Sequence, residues 1–180
     1  TDYDFTNIPR TSVAELFEKH DVNFERILSL VESDDIGALR AYAKTVGVDD
    51  ADTRGASGII DAIMKRRVRP TVDAPLIVDG YLSDQLPLAA SLKSDDRFAD
   101  AFQVMLKTAE MVKAYQEEVD PELLRAKLIR QAGEDVEDAF RNDTRLIDAC
   151  EMGLPPMYGI GIGLDNFTAT ITDRPTRKVI

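Results

Sequence analysis

The chain has 180 residues, 44% hydrophobic and 31% charged, which suits one folded domain with a sizeable core rather than two. Its 22 basic and 33 acidic residues leave a net charge of −11, which argues against generic binding to nucleic acid or an anionic membrane, though a basic contact surface could lie on another domain. A single cysteine, Cys150, and a single histidine, His20, exclude an internal disulfide, argue against a zinc site and read as a reducing cytoplasm.

The N-terminal Thr1-Asp2-Tyr3-Asp4-Phe5 has neither the basic start nor the apolar centre of a signal peptide. It also lacks an initiator methionine, so we expect a chain excised from something longer. No apolar run approaches the ~20 residues that cross a bilayer. Ser12 and Glu15 have capping-box spacing, and Val13, Leu16 and Phe17 open an apolar stripe, predicting a helix over about 12–20. A second helix carries Phe24, Ile27, Leu28 and Val31. Ser33 is expected to cap a third, with Ile36, Leu39, Ala43 and Val46 on one face and Gly47 at its end. Residues 48–56 read as an acidic loop. Ile59, Ile60, Ile63 and Met64 mark a fourth helix stopped by Pro70. Lys65, Arg66, Arg67 and Arg69 at its end suit the negative pole of the helix dipole. His20, in a charged helical stretch, reads as a solvated residue rather than a catalytic base.

Residues 74–81 read as a short strand ending in a turn. Over 98–118 two readings compete. Phe102, Met105, Leu106, Ala109 and Val112 fit a helix, which composition favours. Phe102, Val104 and Leu106 equally fit strand alternation. Asp120-Pro121-Glu122 is a helix start, with Leu123, Leu124, Leu128 and Ile129 expected on its buried face. Asp143 is expected to cap a further helix through Leu146, Ile147 and Cys150, with Gly153 closing it and the thiol in a core.

The most informative stretch is the last. After Pro155-Pro156, Gly159, Gly161 and Gly163 alternate with Ile160, Ile162 and Leu164, and Asp165-Asn166 follows. Alternate glycines leave one face of a strand bare for a ligand or another backbone. The aliphatic residues on the other face are expected to enter a core.

Residues 151–180 resemble the third signature motif and following helix of class II lysyl-tRNA synthetases. Residues 68–90 and 99–121 resemble earlier segments of the same catalytic domain, in the family's order, and 122–150 match as a helical connection. The resemblance implies an α+β fold, an antiparallel sheet flanked by helices as in part of the class II catalytic core. It divides the chain into a helical connecting region, 1–67, and a partial core, 68–180, together one compact domain. It also turns Phe98–Leu106 and Met111–Val119 into strands. The family's first and second motifs have no counterpart here; Phe140-Arg141-Asn142-Asp143 bears a likeness to the second but falls in the wrong order.

The family joins lysine to ATP with magnesium and passes the lysyl group to tRNA. The resemblance therefore implies ATP and magnesium as cofactors, and lysine and tRNA as partners. The ligand groups are altered. Glu110 keeps one magnesium–ATP carboxylate, and Gln103, a poor ligand for a hard cation, stands at the other. Asn166 stands where the motif has an arginine, losing a charge and a bidentate grip on phosphate. In the lysine pocket Glu117 matches the carboxylate that receives the ammonium group and Tyr115 an aromatic wall, with Gly159, Gly161 and Gly163 beneath. Lys113 replaces an asparagine, and its ammonium is expected near Glu117, either as a built-in substrate mimic or as a surface lysine beside a surface glutamate. Losing one charge-stabilising donor commonly costs ~10²–10³ in rate. ATP binding is thus doubtful and the chain alone is expected to be inactive. It is either the distal part of a longer synthetase-like protein, completed by the missing upstream half, or a degenerate paralogue that binds or regulates. Homodimerisation is left open.

Overall fold

The computed structural model describes residues 3–106, 109–134, 145–172 and 174. A short strand β1 (Arg10–Ser12) leads directly into helix α1 (Val13–Glu18). Ser12 and Glu15 form the capping box that their spacing predicts, each side chain accepting from the other's backbone N–H. Helices α2 (Phe24–Glu32) and α3 (Ile36–Thr45) follow. Asn23 caps α2, and Asp35, not Ser33, caps α3 through a bond from the Ala38 N–H. Ser33 lies at the C-terminal end of α2, its hydroxyl donating to the Ser29 carbonyl. Helix α4 (Ala56–Ile63) opens into a π turn over Met64–Val68 and then a 3-10 turn over Arg69–Thr71.

The sheet then assembles. Strand β2 (Leu76–Asp79) pairs in parallel with β1, which is too short to leave a sequence signal. Strands β3 (Ser91–Leu92) and β4 (Asp95–Ala99) make a separate hairpin. Strands β5 (Ala101–Leu106) and β6 (Ala109–Gln116) are the strands that the family resemblance implies, against the helical composition. Helix α5 (Pro121–Glu134) starts at Asp120, whose carboxylate accepts from the Glu122 and Leu123 N–H groups. Helix α6 (Arg145–Glu151), strand β7 (Tyr158–Ile162) and helix α7 (Leu164–Thr172) complete the chain. The main sheet runs β1-β2-β5-β6-β7 and is antiparallel apart from its first pair.

One apolar core runs from Val13 in α1 to Met105 in β5, continuous across residue 67. A small second cluster joins Leu124, Ile147 and Cys150, with Leu128 and Leu154 against it. Leu123 and Ile129, expected on the buried face of α5, are exposed; α5 packs through a narrower stripe than the apolar count suggests. Burial raises the pKa of the Cys150 thiol, and the Glu118 and Asp120 carboxylates add to the effect, so the thiol is a core group. Gly153 closes α6 with φ +94°, the left-handed conformation that favours glycine. The Asp143 cap lies outside the described residues. His20 is a tether, not a solvated residue: its ring nitrogens bond to the Leu16 carbonyl at 2.7 Å and the Thr71 hydroxyl at 2.9 Å. Among the described residues no helix is long and apolar enough to cross a membrane.

Candidate functional site

The register of β5, β6 and β7 decides which side chains share a face, because directly opposed residues point the same way. Gln103 opposes Lys113, which opposes Gly161, and Tyr115 opposes Gly159. One face of the sheet therefore carries Gln103, Lys113 and Tyr115 over a floor of glycines. Ile160 and Ile162 oppose Ala114 and Val112 on the other face.

The glycines are used as the alternation suggests. A Cβ at Gly159 would run into Glu117 Oε1, so the Glu117 carboxylate lies on the bare strand. The Glu117 N–H extends the pairing by donating to the Met157 carbonyl. A Cβ at Gly163 would make ordinary contact with the Asn166 amide at 3.4 Å and the Glu110 carbonyl at 3.5 Å. Gly161 is looser, with the Lys113 carbonyl 3.8 Å from the same hypothetical atom.

The aliphatic partners of these glycines are not in a core. Ile160 is 66% exposed and Ile162 55%, with Tyr158 and Leu164 more exposed still. Strand β7 is the last strand of its sheet, and its far face is more than half exposed at Ile160 and Ile162. The periodicity is that of a half-buried strand, but the partner surface is not supplied by these residues.

Burial raises the pKa of Glu117. Burial also raises that of Tyr115, and the Glu117 carboxylate adds to it. Tyr115 is partly buried against the main core, a rigid wall beside the carboxylate. Lys113 sits on the same face, but no ion pair joins it to Glu117 among the described residues.

The residues that the resemblance sets at magnesium–ATP positions are engaged internally. The Gln103 amide oxygen accepts from the buried Tyr81 hydroxyl at 2.9 Å. Arg69 Nη2 lies 3.4 Å from Glu110 Oε2. Asn166 Nδ2 donates to the Glu110 carbonyl at 2.9 Å, tying the first turn of α7 to β6. A hard divalent cation needs several oxygen ligands converging on one point. Here one candidate is a neutral amide already bonded, and the other is a carboxylate already facing a guanidinium. No group of three His, Cys, Asp or Glu side chains able to hold a metal occurs among the described residues. These residues do not fit magnesium.

Sequence reasoning missed Arg69 and Tyr81. Of the basic run, Lys65 pairs with Asp61 and Arg66 with Asp50, and Arg67 donates to the His20 carbonyl; Arg69 alone of the four reaches the sheet. Pro70 directly after Arg69 was the available signal; it lies inside the 3-10 turn that leads toward β2, not at the end of α4.

The family model of class II tRNA synthetases (D, K and N) matches residues 2–180. Among curated proteins, a lysine–tRNA ligase of Staphylococcus aureus strain MW2 is 32% identical over 151 residues, covering 81% of this chain and 30% of its own length. One from Oceanobacillus iheyensis is 29% identical over 140 residues, covering 76% of this chain and 28% of its own. The chain thus spans less than a third of the curated relatives it matches. With a glycine strand, its carboxylate and the β5–β6 pair in the order that the resemblance requires, the chain belongs to the class II tRNA synthetase family of the D, K and N type.

Proposed function

We propose that this chain is a lysyl-tRNA synthetase-like domain that keeps the amino-acid side of the site and has lost the phosphate side, so that alone it does not activate lysine. The observation that carries the reading is the fate of Gln103, Glu110 and Asn166. Each position that would meet ATP or its metal is tied to Tyr81, Arg69 or the β6 backbone instead. Charge neutralisation around transferring phosphates is the main catalytic device in such chemistry, and none of these three groups is left to provide it. Glu117 over Gly159, beside Tyr115, supports a retained site for an ammonium group. Lys113 as an internal mimic of the substrate lacks the ion pair that it would need, so it is not part of the reading.

Use of ATP, lysine and tRNA by the whole protein belongs to the same proposal, with a cytoplasmic setting supported by the lone buried cysteine. A second reading, a binding or regulatory module, is favoured by the exposed row on β7, where an apolar surface calls for a polypeptide cover. Lysine-dependent ATP–pyrophosphate exchange is the test. We expect only background with this chain; robust exchange would overturn the proposal.

A further inference from the structure

Arg69 opens the 3-10 turn that ends the helical stretch begun at Ala56, and its side chain is only 15% exposed, against 31% for its partner Glu110. These two residues are 41 apart in sequence and come from different layers of the fold. Arg69 Nε is buried with no hydrogen-bond partner, and Nη2 of the same guanidinium pairs with Glu110. Gln103 is buried beside Tyr81. The Tyr81 hydroxyl is the partner of Gln103, as Arg69 is the partner of Glu110. Both positions at which the family resemblance puts a metal are therefore engaged by side chains of this chain.

We infer that Arg69 is the resident cation of this site, its guanidinium taking the place on Glu110 that a divalent ion would need. An exchangeable divalent charge is thereby replaced by a fixed monovalent one. A guanidinium cannot lose its proton in this setting and cannot be chelated away, so the site is neutralised permanently. Removing Arg69 leaves Glu110 facing solvent or whatever cation is supplied. The inference rests on reading residues 103–117 as an altered ATP–magnesium face, but its test does not use lysine activation.

The probe is Mn²⁺ alone, read by paramagnetic broadening of backbone amides around Glu110 and Met111 in the full chain. Wild type is expected to show no saturable broadening there. Arg69→Met is expected to gain it, binding at least ~tenfold tighter than wild type. Arg69→Lys, which keeps a charge, should gain little, and Arg69→Met with Glu110→Gln should lose the gain. Saturable broadening in wild type that Glu110→Gln removes would overturn the inference, as would a folded Arg69→Met with no gain. Should Arg69→Met fail to fold, wild type against Glu110→Gln decides: equal absence of broadening supports the resident cation, and a Glu110-dependent signal refutes it. Background exchange with Mn²⁺ bound at Glu110 would sink this inference and leave the proposed function standing; exchange without such binding would do the reverse.

Discussion

Between residues 17 and 63 Phe17, Phe24, Ile27, Leu39, Ile59, Ile60 and Ile63 are fully buried, whereas between residues 152 and 167 Met152, Tyr158, Ile160, Ile162, Leu164 and Phe167 stand exposed. Both regions are apolar and strongly periodic. The helices α1–α4 close their stripes on one another and on β2 and β5, so their apolar content becomes stability. Strand β7 presents its stripe outward, and what it offers the fold is backbone pairing with β6 and a glycine face for Glu117. Periodicity therefore reports that a surface is meant to be covered, not which polypeptide covers it.

The comparison breaks if truncation costs the same in both regions. Ile60→Ala should destabilise the protein by about 4 kcal/mol, because it opens a cavity in a closed core. Ile160→Ala should change stability by no more than about 0.5 kcal/mol. Urea unfolding of the two variants side by side measures the difference, and equal losses would mean that β7 is buried in solution.

A smaller effect sharpens the boundary between the regions. Lys127 in α5 reaches Glu118 at 2.8 Å and the Ala89 carbonyl at 2.7 Å, with side-chain exposures of only 12% and 7% for Lys127 and Glu118. Lys127→Met leaves a buried carboxylate unpaired and should cost roughly 3 kcal/mol. The doubly substituted Lys127→Met, Glu118→Leu should recover most of it; no recovery would assign the loss to packing of the lysine stem.

Within the helical region Ser12→Ala removes one arm of the α1 capping box and should cost about 1 kcal/mol by the same unfolding assay. A change indistinguishable from zero would show that the Glu15 bonds to Thr11 and Ser12 hold the turn without it.

The last prediction is a pH dependence. A hydrogen bond from Arg54, helped by Arg66, lowers the Asp50 carboxyl from 3.8 to about 2. A carboxyl depressed in the folded state stabilises above its unfolded value, and that contribution is lost as the pH falls from 3.8 through about 2. Wild type and Asp50→Asn should therefore converge in urea midpoint over that window. A carboxyl ¹³C titration centred at its ordinary value would contradict this.

The helices were legible because their signals are local: the Ser12–Glu15 box, Phe24 with Ile27 and Leu28, Ile59 with Ile60 and Ile63. The glycine strand was legible as a strand because period two survives any context. Strands β5 and β6 were not legible from composition, since Ala109, Met111, Lys113 and Glu117 are helix formers; pairing with β2 and β7 overrides that preference. The partners of Gln103 and Glu110 were hidden for a simpler reason. Tyr81 lies 22 residues from Gln103 and Arg69 lies 41 from Glu110, separations at which spacing carries no signal.

The π turn over Met64–Val68 precedes Arg69 directly. Such a turn holds one more residue than an α-helical turn, which shifts everything after it by about 100° around the axis. Removing one residue from this turn would let the helix run on as α and swing Arg69 away from Glu110. The apolar face of α4, which lies before the change, would keep its phase. The length of one turn, rather than the chemistry of its side chains, thus sets where the Arg69 guanidinium points.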